Sequence, residues 1–423
     1  MRLATLGVAL LVVACADSPE LATDSQATVT DSAGITIVQN HRPVWQEGEG
    51  WQVSAEPIVS IGDTVALGAG RWLMATARLS NGDVLVLSDQ GGRWFSPDGS
   101  LIRTFARSGE GPGEFRYAST LLVTPGDSVV VAETGILSRI AWFGPGGELL
   151  KEERIEPQEL EGLGKWAECA SSILPDYSLL RCQHDSSIPH SATNRPSRII
   201  EGGWSSPGPG LLRQLRRIHW VPPTLDTSFA LGLDIGIEQF GVSLPNGRET
   251  FVTHPFYTRT FVAAGGAPMR IAIATNPEWQ IEVWTPEGRL ERIVRLDGGR
   301  RTPTDAEVAW ADSQLRADDF RGRLGDDQAI KARILSEVGV PDSLPGHAAL
   351  VMAKGGELIN RGWSLWRSGT PTSFNVFDRE GRWLGDLTLP PKFWVREVGD
   401  DYLLGLRFDD DDVVTVEVYG LER

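Results

Sequence analysis

Cysteine is nearly absent: three residues in 423, too few for a disulfide-stapled scaffold or a four-cysteine metal site. Histidine is sparse as well. The six occur at positions 41, 184, 190, 219, 254 and 347 without the paired spacing of a zinc site. Basic residues fall short of acidic ones, 40 against 56, for a formal net charge of −16. That balance excludes a nucleic-acid binder, whose phosphate contacts need clustered basic surface. Beyond the first fourteen residues no run of 18 or more apolar residues occurs, so no membrane-spanning helix is expected. Gly-x-Ser-x-Gly, a phosphate-cradling loop and His-Glu-x-x-His are all missing. What is plentiful is glycine, 47 residues, and tryptophan, 15. Glycine stands at about 11%, against a usual level of roughly 7%. Such a chain turns often, which favours many short strands over long helices.

Residues 1–14 combine Arg2, an apolar run and small residues before Cys15. This is the layout of a secretory signal, too short to cross a bilayer as a helix. Val12-Val13-Ala14-Cys15 resembles a bacterial lipobox, which implies that Cys15 is lipid-modified and becomes the mature N-terminus. Residues 15–30 are small and polar, and read as a flexible tether. Ala16, rather than Asp, follows the cysteine. By resemblance to lipoprotein sorting in diderm bacteria, this implies a protein facing the periplasm, with the outer membrane favoured over the inner.

Residues 31–423 repeat. The clearest unit covers 72–107: an apolar strand to Leu79, the turn Asn81-Gly82-Asp83, Val84–Leu87, then Arg93-Trp94-Phe95, the turn Pro97-Asp98-Gly99 and Leu101–Phe105. Asn-Gly and Asp-Gly supply the positive φ angles that tight hairpins need. Taking the first hairpin turn as marker, units fall near Gly82, Gly126, Asp176, Gly265, Gly355 and Gly399. Four-stranded units about 45 residues apart are the mark of β-propeller blades. The expected fold is therefore all-β, a six-bladed β-propeller with four-stranded blades. Val413–Tyr419 ends the last unit and Glu56–Ile61 precedes the first, so the N-terminal strand is expected to close the last blade. A pair of β-sandwiches is the competing architecture, but sandwiches need no such period.

Two stretches break the pattern. Residues 303–340 carry helix formers behind a capping box at Thr304–Glu307, and Asp326-Asp327 open a second helical stretch that Pro341 stops. A helical hairpin across one propeller face is expected. Residues 185–255 hold eight prolines and are expected to form long irregular loops, with a hairpin around Pro245-Asn246-Gly247.

Phe105–Phe115, with glycines at 109, 111 and 113, resembles the inter-blade connection of NHL-type propellers. Asp31–Val38 and Tyr419–Arg423 resemble a group of bacterial six-bladed propeller lipoproteins. The resemblance implies the fold, without a shared activity.

Four sets of residues suggest chemistry. Cys169 and Cys182 flank Leu174-Pro175-Asp176-Tyr177; with Pro175-Asp176 as the loop they face each other, as a possible disulfide in an oxidising compartment. A metal site joining them to His184 and His190 lacks the usual spacing. Asp409–Asp412 suggests calcium, but it has no Asp-x-Asp-x-Asp-Gly alternation and falls at a hairpin turn of the last blade. A solvated turn is expected, and no cofactor. Most tryptophans, including Trp279, Trp284, Trp363, Trp366, Trp383 and Trp394, fall in strand patterns and are expected to pack between blades. Arg78 and Arg396 lie on expected innermost strands, as candidate ligand contacts at the channel mouth. Two functions fit: a lipid-anchored envelope module binding a protein or small ligand, or a metal-dependent hydrolase or lyase with its site at the channel mouth.

Overall fold

A computed structural model describes residues 26–62, 73–116, 118–124, 126–133, 139–154, 166–174, 176–183, 198–200, 203–205, 210–212, 215–224, 227–235, 239–243, 249–253, 255–257, 259–275, 279–317, 332, 336, 340, 342–365, 371–411 and 413–423. Four strands lead in: β1 (Ala27–Ser32), β2 (Ile35–Asn40), β3 (Gln52–Val53) and β4 (Val59–Ile61). The first blade is the antiparallel sheet β5 (Leu73–Arg78), β6 (Val84–Ser88), β7 (Gly91–Phe95) and β8 (Leu101–Phe105), paired in chain order. The second is β9 (Ala118–Val123), β10 (Val129–Glu133), β11 (Arg139–Phe143) and β12 (Leu149–Arg154). The third is built from β13 (Trp166–Ile173), β14 (Leu179–Gln183), β18 (Arg216–Val221) and β19 (Phe229–Asp234). Between β14 and β18 lie β15 (Arg198–Ile200), β16 (Gly203–Ser205) and β17 (Gly210–Leu212).

The expected hairpin around Asn246 is present as β20 (Gln239–Ser243) and β21 (Glu249–Val252), with β17 added on its edge. Blade four is β22 (Phe261–Gly265), β23 (Arg270–Ala274), β24 (Gln280–Trp284) and β25 (Leu290–Leu296). Helix α1 (Asp305–Ala317) then precedes blade five, formed by β26 (Ala349–Met352), β27 (Leu358–Arg361), β28 (Thr372–Phe377) and β29 (Trp383–Leu389). Blade six is β30 (Phe393–Val398), β31 (Tyr402–Phe408) and β32 (Val414–Glu422), completed by β4 and β3. Five of the six first-hairpin markers fall in the turn between a blade's first and second strands and Gly265 ends the first strand of its blade, and the N-terminal strand closes the last blade as expected. The protein is a six-bladed β-propeller.

Burial follows from position in the blade. Strand β6 is buried throughout, whereas β8 is exposed until Phe105. Because side chains alternate across a strand, Leu85 and Leu87 pack on Val129 and Val131 of blade two, while Val84 and Val86 pack on Leu404 and Val416 of blade six. The same double facing recurs around the ring, so that six apolar clusters fill the six gaps between blades. Each fully buried Val, Leu or Ile side chain contributes roughly 1.5–3 kcal/mol. The first-blade hairpin shows the turn chemistry: Gly82 has φ +91°, and Asp83 accepts a 2.7 Å hydrogen bond from the Trp94 indole, which is 1% exposed.

Two expectations need correcting. The tether does not extend to residue 30, because β1 starts at Ala27. Ala33 (φ +56°) and Gly34 (φ +82°) make the tight turn that folds β1 onto β2, and β2 runs parallel to β25. Blade four therefore carries two extra outer strands. The loop between β13 and β14 is one residue longer than Pro175-Asp176. The Tyr177 amide bonds the Leu174 carbonyl with Tyr177 at φ +65°, and Leu179 pairs with Ile173. With a further register shift between Ala167 and Ser172, Cys182 stands opposite Ala167 in the ladder rather than opposite Cys169. The helix starts on its capping box, with the Thr304 amide and hydroxyl on the Glu307 carboxylate and the Glu307 amide on Thr304 Oγ1. Of the second helical stretch only Ala332 and Ser336 are described, both helical.

Candidate functional site

Strands alternate in direction, so connections leaving the second and fourth strand of each blade all lie at one end of the ring. Both insertions leave from such positions, the first after β14 and β19, the second after β25. The chain thus thickens a single face. Helix α1 is held there by Ala311, packed with Phe256 and Leu344, and by Trp310 against Trp363. Phe256 meets Trp363 edge-on at 4.7 Å, and the Trp363 indole donates to the Pro255 carbonyl.

At this face, between blades four, five and six, a cavity of about 210 Å³ is lined by Tyr257, Arg259, Phe261, His347, Arg361, Trp363 and Trp394, among others. A second cavity of about 320 Å³ shares Arg259, Phe261, Ala348 and Trp394 with it and continues along β22, β26 and β30 to Met352 and Arg396. The two form the channel mouth and the upper channel. Walls of Val262, Ala264, Ala349 and Val351 are apolar, and Trp394 keeps 36% of its surface exposed.

Three arginines reach this space. Arg259 stands just before β22 with its guanidinium 4.5 Å over the Phe261 ring. Arg361 ends β27 opposite Ala349. Arg396 sits at a bulge of β30, where Val395 pairs with Gly405 and Glu397 already pairs with Leu404. A bulge adds one residue to a strand and re-aims its side chain. Arg396 is held 4.3 Å over the Trp394 ring, and its Nε is buried without a hydrogen-bond partner among the described residues. Among the described residues no carboxylate lines either cavity. Burial, with repulsion from Arg259 added, brings the Arg361 guanidinium down to about 10; burial alone lowers Arg396. Both stay cationic at neutral pH. His347, 1% exposed, bonds Asn360 through Nδ1 at 2.7 Å and lies 5.0 Å from the Trp279 ring. Burial pushes it down to about 4, against smaller opposing effects of Asn360 and the Gln280 backbone, so it is neutral at pH 7.

Of the residues singled out in the sequence, Arg396 lies in the cavity wall and Arg78 does not. Arg78 ends β5 at the opposite end of the ring, 4.3 Å over the Tyr402 ring and 3.8 Å from Asp401, with its amide bonded to Glu397. Arg259 and Arg361 were missed. The available signal was an arginine at the end of an apolar strand, and nothing local marks convergence from two blades. Trp279 packs between blades as expected, whereas Trp394 faces the channel. Trp366 lies outside the described residues.

Cys182 is buried and disulfide-bonded; the side chain of Cys169 lies outside those described, as do Cys15, His184 and His190. Asp409 caps its own turn, accepting from the amides of Asp411 and Val413, and Lys392 reaches its carbonyl. Asp412 is outside the described residues. The Gly109–Gly113 connection is stapled by the Arg139 guanidinium, which bonds the carbonyls of Gly111 and Glu114.

A groove of about 240 Å³ opens at the other end, at the turns of blades four and five. There Arg270 pairs with Glu291, and Arg292 bonds the Arg379 carbonyl. The channel mouth is the better candidate, because two adjoining cavities open there on the face that the insertions thicken.

No protein-family model matches the chain, and no curated protein matches it. Among solved structures, a Bacteroides fragilis protein described as exported aligns at TM-score 0.44 and 9% identity, over 92% of this chain and 99% of its own. A luciferin-regenerating enzyme aligns at 0.40 and 8%, over 87% and 96%. A Xanthomonas campestris gluconolactonase aligns at 0.35 and 12%, over 83% and 86%. At such values no activity transfers from them.

Proposed function

We propose that this propeller is a binding module of the cell envelope, exported by its signal segment, held to a membrane by lipid on Cys15, and binding a small molecule at the channel mouth. The observation that carries this reading is the continuous cavity between blades four, five and six, walled by apolar strand residues and rimmed by arginine and tryptophan. Mostly apolar concavities with a few converging polar groups are the usual form of ligand sites. The insertions support it by deepening the same face. The tether and the lipid would keep that face close to the membrane, with the outer membrane favoured by Ala16.

Native mass spectrometry of the mature protein with a mixture of small metabolites tests the binding. A 1:1 adduct is expected, lost when Ala348→Trp fills the cavity. An adduct that survives this substitution, or a ligand converted to product, overturns the reading. Labelling with radioactive palmitate tests the anchor: label on the wild type and none on Cys15→Ala is expected.

A further inference from the structure

At the outer rim of blade four, three side chains stand joined in a row. Thr28 on β1, His41 just after β2 and Asp297 just after β25 meet because the N-terminal hairpin docks on that blade. Thr28 Oγ1 lies 2.8 Å from His41 Nε2, and His41 Nδ1 lies 2.6 Å from Asp297 Oδ2. The hydrogen bond from His41 holds the Asp297 carboxyl below the usual carboxylate range, so it is ionised at neutral pH and only accepts. In the neutral imidazole Nδ1 therefore carries the hydrogen, and Nε2 is left to accept from the Thr28 hydroxyl. The Gln39 side-chain amide donates to Asp297 Oδ1 at 2.6 Å, so the carboxylate that orients the base is itself oriented. Main-chain contacts fix the same segments: the Gln26 carbonyl accepts from the His41 amide, and the Asp297 amide donates to the Asn40 carbonyl.

We propose that Thr28 is a nucleophile, activated by His41 and Asp297, that takes the acyl group of a carboxylic ester or thioester. The site lies apart from the channel mouth and does not rest on the reading of that cavity. A hydroxyl is a weak nucleophile by itself, and a hydrogen-bonded base that a third group orients is what activates it. The order hydroxyl, imidazole, carboxylate is recognised by geometry and roles, on unrelated folds and in any sequence order. In the step, Thr28 Oγ1 bonds to the carbonyl carbon while its proton passes to His41 Nε2. The bond from that carbon to the leaving oxygen or sulfur then breaks, and the leaving group takes the proton from His41. Asp297 stabilises the imidazolium in between. Access fits this role. β1 is the edge strand of its sheet and Thr28 is half-buried, while the side chains of His41 and Asp297 keep 33% and 53% of their surface exposed. So open a row contributes little to stability, and the ladders of β2 with β1 and β25 already secure the hairpin.

Two probes on the mature protein test this: a fluorophosphonate, which phosphonylates an activated hydroxyl with loss of fluoride, and p-nitrophenyl acetate, an ester. Peptide mapping is expected to find both labels on Thr28. Thr28→Val should abolish them, and Thr28→Ser should retain them. His41→Gln should slow labelling about a hundredfold or more. Asp297→Asn, which keeps the shape of the side chain, should slow it as well and serves where His41→Gln loosens the hairpin. Thr30→Val, two residues further along the same strand, should label as the wild type does. Unchanged thermal unfolding of Thr28→Val and Asp297→Asn shows that a loss is not detachment of β1. Labelling of Thr28 by the fluorophosphonate but not by the ester overturns the acyl transfer. No label, label only at other residues, or label on Thr28 at the wild-type rate in both His41→Gln and Asp297→Asn overturns the nucleophile.

Discussion

The Arg396 guanidinium lies 4.3 Å over the ring of Trp394, two residues away on the same bulged strand. Such a contact is worth about 0.5–2 kcal/mol. It holds the cation at the channel wall without an acid partner among the described residues, and so leaves its charge for a ligand.

Arg396→Met should therefore stabilise the ligand-free protein by about 1 kcal/mol, since an apolar chain of similar length avoids the cost of a buried cation. Thermal unfolding measures it. A lowered Tm would mean that Arg396 is a structural residue.

His347 makes stability pH-dependent. Its folded-state value, about 4, lies below the roughly 6.5 of an unfolded histidine. The unfolded chain thus binds the extra proton first. The stability from the neutral imidazole is fully present above pH ~6.5 and is lost as pH falls toward 4, by about 3 kcal/mol. Urea unfolding at a series of pH values shows the slope, and His347→Gln should flatten it.

Ring closure depends on β4. Ile61, 3% exposed, pairs with Val416 and fills the gap between blades six and one. Ile61→Asp places an unpaired carboxylate there and should cost at least 3 kcal/mol, roughly the upper range for single substitutions. Unfolding by denaturant checks the loss, and a change below about 1 kcal/mol would argue against closure by this strand.

Cys182 is disulfide-bonded, and we propose Cys169 as its partner. Peptide mapping without reductant should find the 169–182 cross-link, and removing it with Cys182→Ser should cost about 3 kcal/mol. Two titratable thiols in unreduced protein would contradict the pairing.

The blade count, the closing strand and the start of α1 were legible in the sequence because each rests on local chemistry. Gly82 provides a positive φ, Thr304 and Glu307 cap each other, and Val84–Leu87 is apolar on both faces. The β1–β2 hairpin was not, because its docking partner β25 lies over 250 residues away. The loop at Tyr177 misled because a non-glycine residue takes the left-handed conformation there. Of the site, only Arg396 was legible. Arg259 and Arg361 join it through blade packing, which leaves no local pattern.

The central claim is that a small molecule binds at the channel mouth, between blades four, five and six. A crystal structure of the mature protein with the ligand found by native mass spectrometry tests it most directly. The account predicts the ligand in the cavity lined by Arg259, Phe261 and Trp394. An empty channel mouth at saturating concentration, or a ligand bound only elsewhere, would contradict it.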